Sequence, residues 1–258
     1  GPVRLGATVS NLRGLLPDTP VDRHAAGLGT LGFLALRNGR REREVVLVSS
    51  RHVLLAHGAA RGAPIYRPLF ARRGDAWVIR GDALEPIAEV LDEGAEGSHP
   101  FPYPGEAPGE YFVDCASARV LVGRGVHVRA ELPARGGRSP AVVRGVARVH
   151  PLDAGAWWSL RVQKVGGATG HTVGRVVDAV AAVEVAGGPP RLGTLVIRGE
   201  GGPFVGPGDS GALVLDDRDR AVGLVWGRSD AEPDVGYACH IHPVLDRLGV
   251  TLLGGGLV

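Results

Sequence analysis

The feature that most constrains this chain is its punctuation: short apolar runs rich in β-branched residues, separated throughout by glycine and proline. With 41 Gly and 19 Pro in 258 residues, long helices are disfavoured and an all-β fold is expected. Gly29–Arg37 and Glu44–Ser49 flank Asn38-Gly39 and a charged tip, the pattern of a β-hairpin. Strand-like runs follow at Ala76–Arg80, Ile87–Leu91, Tyr111–Val122 and Val126–Glu131. The Pro-, Gly- and Glu-dense stretch Gly94–Gly109 reads as a long surface loop. Beyond the Gly/Arg/Pro stretch Pro133–Pro140 a new series begins at Val142–Val149 and continues through Trp157–Val165, Thr172–Val185, Thr194–Arg198, Ala212–Leu215, Ala221–Trp226 and Gly236–Ile241. This spacing implies two β subdomains, 28–135 and 136–258, behind an N-terminal segment 1–27. The one helix expected is the tail, Pro243–Leu248, stopped by Gly249.

Composition narrows the partners. A hydrophobic share of 44% and a net charge of only +2, with arginines scattered along the chain, favour a globular protein that binds neither nucleic acid nor membrane. Lys164 is the sole lysine, which reads as compositional bias rather than function. Cys115 and Cys239 lie far apart in apolar runs and are expected to be buried thiols, pointing to a reducing, cytoplasmic setting more than a secreted one. No run has the length of a membrane helix or the pattern of a signal peptide, although the Gly1-Pro2 start and the absence of Met indicate a processed beginning. His240-Ile-His242 puts two imidazoles on one strand face without a third ligand in sight, so no metal or organic cofactor is expected.

Chemistry concentrates at Gly206-Pro-Gly-Asp-Ser-Gly-Ala-Leu213. Glycines around Ser210 let backbone N–H groups approach a substrate, which suits a nucleophile in a tight turn; an ordinary surface turn is the plain alternative. A serine nucleophile needs a base. His52 follows the apolar run Val45–Val48 and is placed by a strand end rather than a free loop. Asp114 interrupts Tyr111-Phe-Val-Asp-Cys-Ala116, so it should be buried and in need of a partner, whether the His52 imidazole or a structural ion pair.

The order His52, Asp114, Ser210 resembles that of chymotrypsin/trypsin-like serine peptidases. Ser49-Ser-Arg-His52 is similar to the family's T-A-x-H, Asp114-Cys-Ala116 to D-I-A, and Gly208-Asp-Ser-Gly211 to G-D-S-G. Val225-Trp-Gly227 resembles the substrate-binding edge S-W-G, and Lys164–Gly174 looks like the hairpin opening the second barrel in streptogrisin-like bacterial members. The resemblance implies two six-stranded antiparallel β-barrels with a short C-terminal helix. It implies peptide-bond cleavage on a protein or peptide substrate, with Gly208 and Ser210 N–H groups as oxyanion hole and Phe204, Val225, Trp226 and Gly227 around the substrate. Phe204 stands where relatives specific for basic residues carry aspartate, which implies an apolar or shallow pocket and a narrow specificity. Ala212 and Val225 depart from the family's Gly and Ser, and there is no Ile-Val-Gly-Gly start, so an internal arginine is expected beside Asp209. The competing reading is a trypsin-fold protein that binds peptides without cutting them.

Overall fold

A computed structural model describes residues 2–15, 19–21, 27–39, 44–80, 85–121, 127–134, 140–148, 153–158 and 160–254. The charged hairpin tip at 40–43 and most of the Pro133–Pro140 stretch lie outside them. In the first half, β1 (Phe33–Arg37), β2 (Val45–Ser49), β3 (Pro64–Tyr66), β4 (Pro86–Phe101) and β5 (Gly109–Val120) pair antiparallel, and a one-turn helix α1 (Arg51–Leu54) follows β2. In the second half a short helix α2 (Ala154–Trp157) precedes β6 (Arg161–Gly166), β7 (Gly170–Val183), β8 (Arg191–Gly199), β9 (Leu213–Asp216), β10 (Ala221–Arg228) and β11 (Val235–His240). Helix α3 (Ile241–Leu248) and strand β12 (Val250–Leu252) end the described chain.

The second half closes into a barrel in the order β6-β7-β8-β11-β10-β9. The first half does not. Among the described residues it is a six-stranded sheet in the order β12-β1-β2-β5-β4-β3, its ends unjoined, so one closed barrel stands where two were expected. Among the described residues the open flank is crossed by short pairings, Thr8–Val9 with Gly29–Thr30 and a bridge from Ser10 to Tyr66, too brief to continue the ladder. The sheet also borrows β12 from the far end of the chain, paired with β1 as Thr251↔Leu36. Gly249 makes this return possible: it ends α3 in the left-handed region, φ 58°, with its N–H donating to the Asp246 carbonyl oxygen.

Residues 94–109, expected to form a surface loop, instead belong largely to the long hairpin β4/β5, whose turn is confined to residues 102–108. Glu, Gly and Ser have low strand propensity, but pairing with the apolar Tyr111–Ala116 run holds them extended, with Phe101↔Gly109 and Glu96↔Asp114 in register. Two other strand expectations shrink. Trp157 ends α2 and its strand starts at Arg161, while among the described residues of Val142–Val149 only Val142 is in a strand, in register with Glu131. Apolar side chains of both halves share one core: Leu34, Leu47, Val48, Val113 and Ala116 pack with Leu213, Leu224 and Ile241, and a second cluster led by Val162, Leu195, Ile197 and Phe204 fills the barrel. Each fully buried Leu or Ile contributes about 1.5–3 kcal/mol, so the two halves are held together by the same burial that holds each one.

Candidate active site

His52 and Asp114 meet at the end of the first sheet. β2 ends at Ser49, Ser50 caps α1, and the first turn of that helix carries His52 outward, leaving its side chain 40% exposed. Asp114, in the middle of β5, is 1% exposed. Its Oδ2 lies 2.5 Å from His52 Nδ1, and its Oδ1 accepts the backbone N–H groups of Arg51 at 2.8 Å and His52 at 3.2 Å. One buried carboxylate thus caps the helix that bears the histidine and grips the imbedded side of its ring. Burial alone pulls the His52 pKa down; the Asp114 carboxylate more than offsets this, so the net shift is upward. The thiol of Cys239 accepts the Asp114 N–H at 3.2 Å, and burial pushes that thiol well above its ordinary pKa. Both cysteines are free and buried, as expected.

The turn bearing Ser210 is locked against the residues just before His52. Gly208 and Gly211 take φ values of 99° and 90°, open to glycine alone at little cost. A Cβ on residue 211 would collide with Ser49 Oγ and the Thr30 carbonyl oxygen, so the serine turn and the end of β2 touch backbone to backbone. Ser50 Oγ donates across the same seam to the Val225 carbonyl oxygen at 2.9 Å. Val225, fully buried, contributes only backbone here, also accepting the Gly211 N–H at 2.8 Å. Among the described residues, the N–H groups of Gly208 and Ser210 donate to no acceptor.

Thr30 joins the pieces and was not singled out by sequence reasoning. It is fully buried; its N–H donates to the Ser210 carbonyl oxygen at 2.8 Å and its Oγ1 donates to the Gly208 carbonyl oxygen at 2.9 Å. The same Oγ1 accepts the Gly167 N–H at 2.9 Å, and Ser49 Oγ donates to the Thr30 carbonyl oxygen at 2.7 Å. A threonine in a Gly-Thr-Leu-Gly run carries no local signal of this; only the approach of three distant segments creates it.

Asp209, next to the serine, is paired not with an arginine but with the chain's sole lysine. Lys164 Nζ lies 2.9 Å from Asp209 Oδ2, both side chains without any exposure. The carboxylate also accepts Thr169 Oγ1 at 2.6 Å and the N–H groups of Gly206, Ala168 and Thr169 at 3.0, 3.0 and 3.1 Å. Burial pushes the Asp209 pKa up, but these donors and the ammonium outweigh it and hold the carboxyl below its ordinary range. The compositional reading of Lys164 is therefore corrected: it neutralises a carboxylate that would otherwise be buried as a bare charge.

The remaining expected substrate residues separate by depth. Phe204 is fully buried inside the barrel cluster, with Trp226 6% exposed and Gly227 half-buried on β10. On one flank of β10, β9 pairs no further than Leu213↔Leu224 and Ala212 reaches Val225, so beyond Val225 that flank carries no strand. His240 and His242 spend their Nε2 atoms on backbone carbonyls of Ala179 and Ala147, and among the described residues no cluster of metal-binding side chains forms. Among those residues, no helix is long and apolar enough to cross a membrane.

No protein-family model matches the chain, and no curated protein matches it in sequence. Solved structures do match in fold. Thermobifida fusca Protease A aligns over 99% of this chain and 100% of its own at 15% identity, TM-score 0.60. Nocardiopsis Protease aligns over 98% and 99% at 14% identity, TM-score 0.58, and an alpha-lytic protease homologue over 97% and 99% at 20% identity, TM-score 0.54. The chain has the mostly-β fold of bacterial chymotrypsin-like serine proteases.

Proposed function

We propose that this chain is a serine endopeptidase that acts through His52, Asp114 and Ser210. The observation that carries the reading is the buried Asp114 carboxylate holding His52 Nδ1, with the Ser210 turn packed backbone to backbone on the segment that leads into His52. In this reading the Ser210 hydroxyl attacks the scissile carbonyl while His52 takes its proton and returns it to the leaving amine. Asp114 fixes the tautomer and stabilises the imidazolium. The unengaged N–H groups of Gly208 and Ser210 receive the oxyanion, each such donor being worth about 10²–10³ in rate. Water then resolves the acyl-enzyme with the same proton traffic reversed.

A peptide substrate docks as an added strand against Val225-Trp226-Gly227, on the flank of β10 that is open beyond Val225. With Phe204 filling the barrel interior, the pocket for the residue before the cleaved bond is apolar or shallow, and specificity is narrow. Subdomains 28–135 and 136–258 supply the two sides of this cleft. The test is a fluorophosphonate probe followed by cleavage profiling of a peptide library. Labelling of wild type but not of Ser210→Ala supports the hydrolase. No labelling of folded wild type supports a peptide-binding protein instead, and cleavage chiefly after Arg would overturn the apolar pocket.

A further inference from the structure

The indole that borders the open flank of β10 does not present a bare apolar face. Trp226 stacks on Tyr237 at 5.1 Å between centroids, and the Arg191 guanidinium lies over its ring at 4.3 Å. The same guanidinium covers Phe112 of β5 at 4.5 Å, so Arg191, the first residue of β8, spans the cleft between the two halves. Its carboxylate partner is Glu96, at 3.2 Å, which sits directly across the β4/β5 ladder from Asp114. The pair is within electrostatic reach of the histidine: Glu96 raises the His52 pKa and Arg191 lowers it. Arg191 keeps 23% of its side chain exposed and Glu96 keeps 34%, so solvent and solutes reach both. Trp226 Nε1 is buried and has no acceptor among the described residues.

From this arrangement we infer that Arg191 is a specificity-determining residue, selecting a substrate with a carboxylate side chain among the residues preceding the cleaved bond. The inference rests on the peptide-docking reading above. A strand laid on the flank of Trp226-Gly227 brings its side chains under a guanidinium rather than onto an aromatic face. A planar fork already held by two rings is pre-organised for a carboxylate, and an incoming Glu or Asp exchanges with Glu96 for the same donors. Glu96 thus acts as an internal stand-in: it neutralises Arg191 in the empty cleft and yields to a substrate carboxylate. Neutral peptides leave the Arg191–Glu96 pair intact, and basic ones meet a like charge.

The experiment measures binding as well as cleavage, so the two readings fail separately. A positional library of extended peptides, each carrying Glu or Gln at one site before the bond, is titrated by calorimetry into the Ser210→Ala protein. Matching kcat/KM ratios are taken on wild type. At one position Glu is expected to exceed Gln by tenfold or more in both affinity and kcat/KM. Arg191→Gln collapses this ratio to about one while leaving the Gln peptides within a few-fold, Arg191→Lys restores part of it, and Glu96→Gln widens it. A wild-type ratio near or below one at every position, or a ratio that survives in Arg191→Gln, overturns the proposal. Should Arg191→Gln fail to fold, an unchanged ratio in Glu96→Gln, or one insensitive to salt between low and high ionic strength, overturns it equally. Glu-selective binding without cleavage by wild type would retain Arg191 as the selector and sink the peptidase reading instead.

Discussion

Asp114 and Asp209 are both fully buried aspartates, one in an apolar strand and one in a glycine-rich turn, and they differ in who stands opposite. Asp114 faces an imidazole that is 40% exposed and whose pKa the carboxylate shifts upward, so its partner can exchange a proton at the surface. Asp209 faces an ammonium with no exposure and four further donors, which together hold its carboxyl below its ordinary range and out of contact with solvent. The first pairing suits chemistry and the second suits architecture. Burial of a carboxylate therefore marks neither role; the exposure and chemical type of its partner distinguish them.

The sharpest way to break this comparison is to remove each charge in turn. Asp114→Asn is expected to lower kcat about 10⁴-fold, because the amide cannot hold the same imidazole tautomer, while the fold keeps its helix cap through the remaining carbonyl oxygen. Stopped-flow acylation alongside urea unfolding checks this, and a large loss of stability with little loss of rate would reverse the assignment. Lys164→Met should act the other way, destabilising by about 3–5 kcal/mol by leaving Asp209 as a bare buried charge. A loss under about 1 kcal/mol in urea unfolding would show that the other donors suffice without the ammonium. Thr30→Val keeps the volume and removes the hydroxyl that holds the Gly208 carbonyl. It is expected to cost about 1–3 kcal/mol and to slow fluorophosphonate labelling of Ser210. Labelling at the wild-type rate would detach Thr30 from the serine turn.

The smallest effects are those of pH, and their signs oppose each other. Because the His52 pKa is raised in the folded chain, its pairing with Asp114 supports folding fully below about 6.5 and ceases to do so as pH rises through the folded value. With His52 as the proposed base, turnover is expected to run in the opposite sense, increasing with pH as His52 loses its proton, with a midpoint above about 6.5. Because the Asp209 pKa is lowered, its contribution is present above about 3.9 and disappears as pH falls through the folded value. Unfolding free energies across pH 3–8 should show both slopes in wild type, and only the acid one in Asp114→Asn.

Much of this site was legible in local sequence. The serine turn announces itself because only glycine tolerates φ near 90–100° at 208 and 211, and Asp114 announces itself by interrupting an apolar run. Residues 94–101 misled for the complementary reason: their composition disfavours a strand, and only the partner strand β5 holds them extended. Lys164 and Thr30 carried no local mark at all. Their partners lie 45 and 178 residues away, so their roles exist only after the chain has returned on itself.

By itself the sequence determined the class of fold and pointed to the three residues of the proposed site, since strand patterning, turn glycines and buried polar interruptions are local properties of the chain. Tertiary structure decided that one half closes into a barrel while the other, among the described residues, is an open sheet, that the sole lysine neutralises Asp209, and that Arg191 covers Trp226. Those outcomes depend on which distant surfaces meet, and contact between remote segments is a property of the packed chain rather than of any window along it.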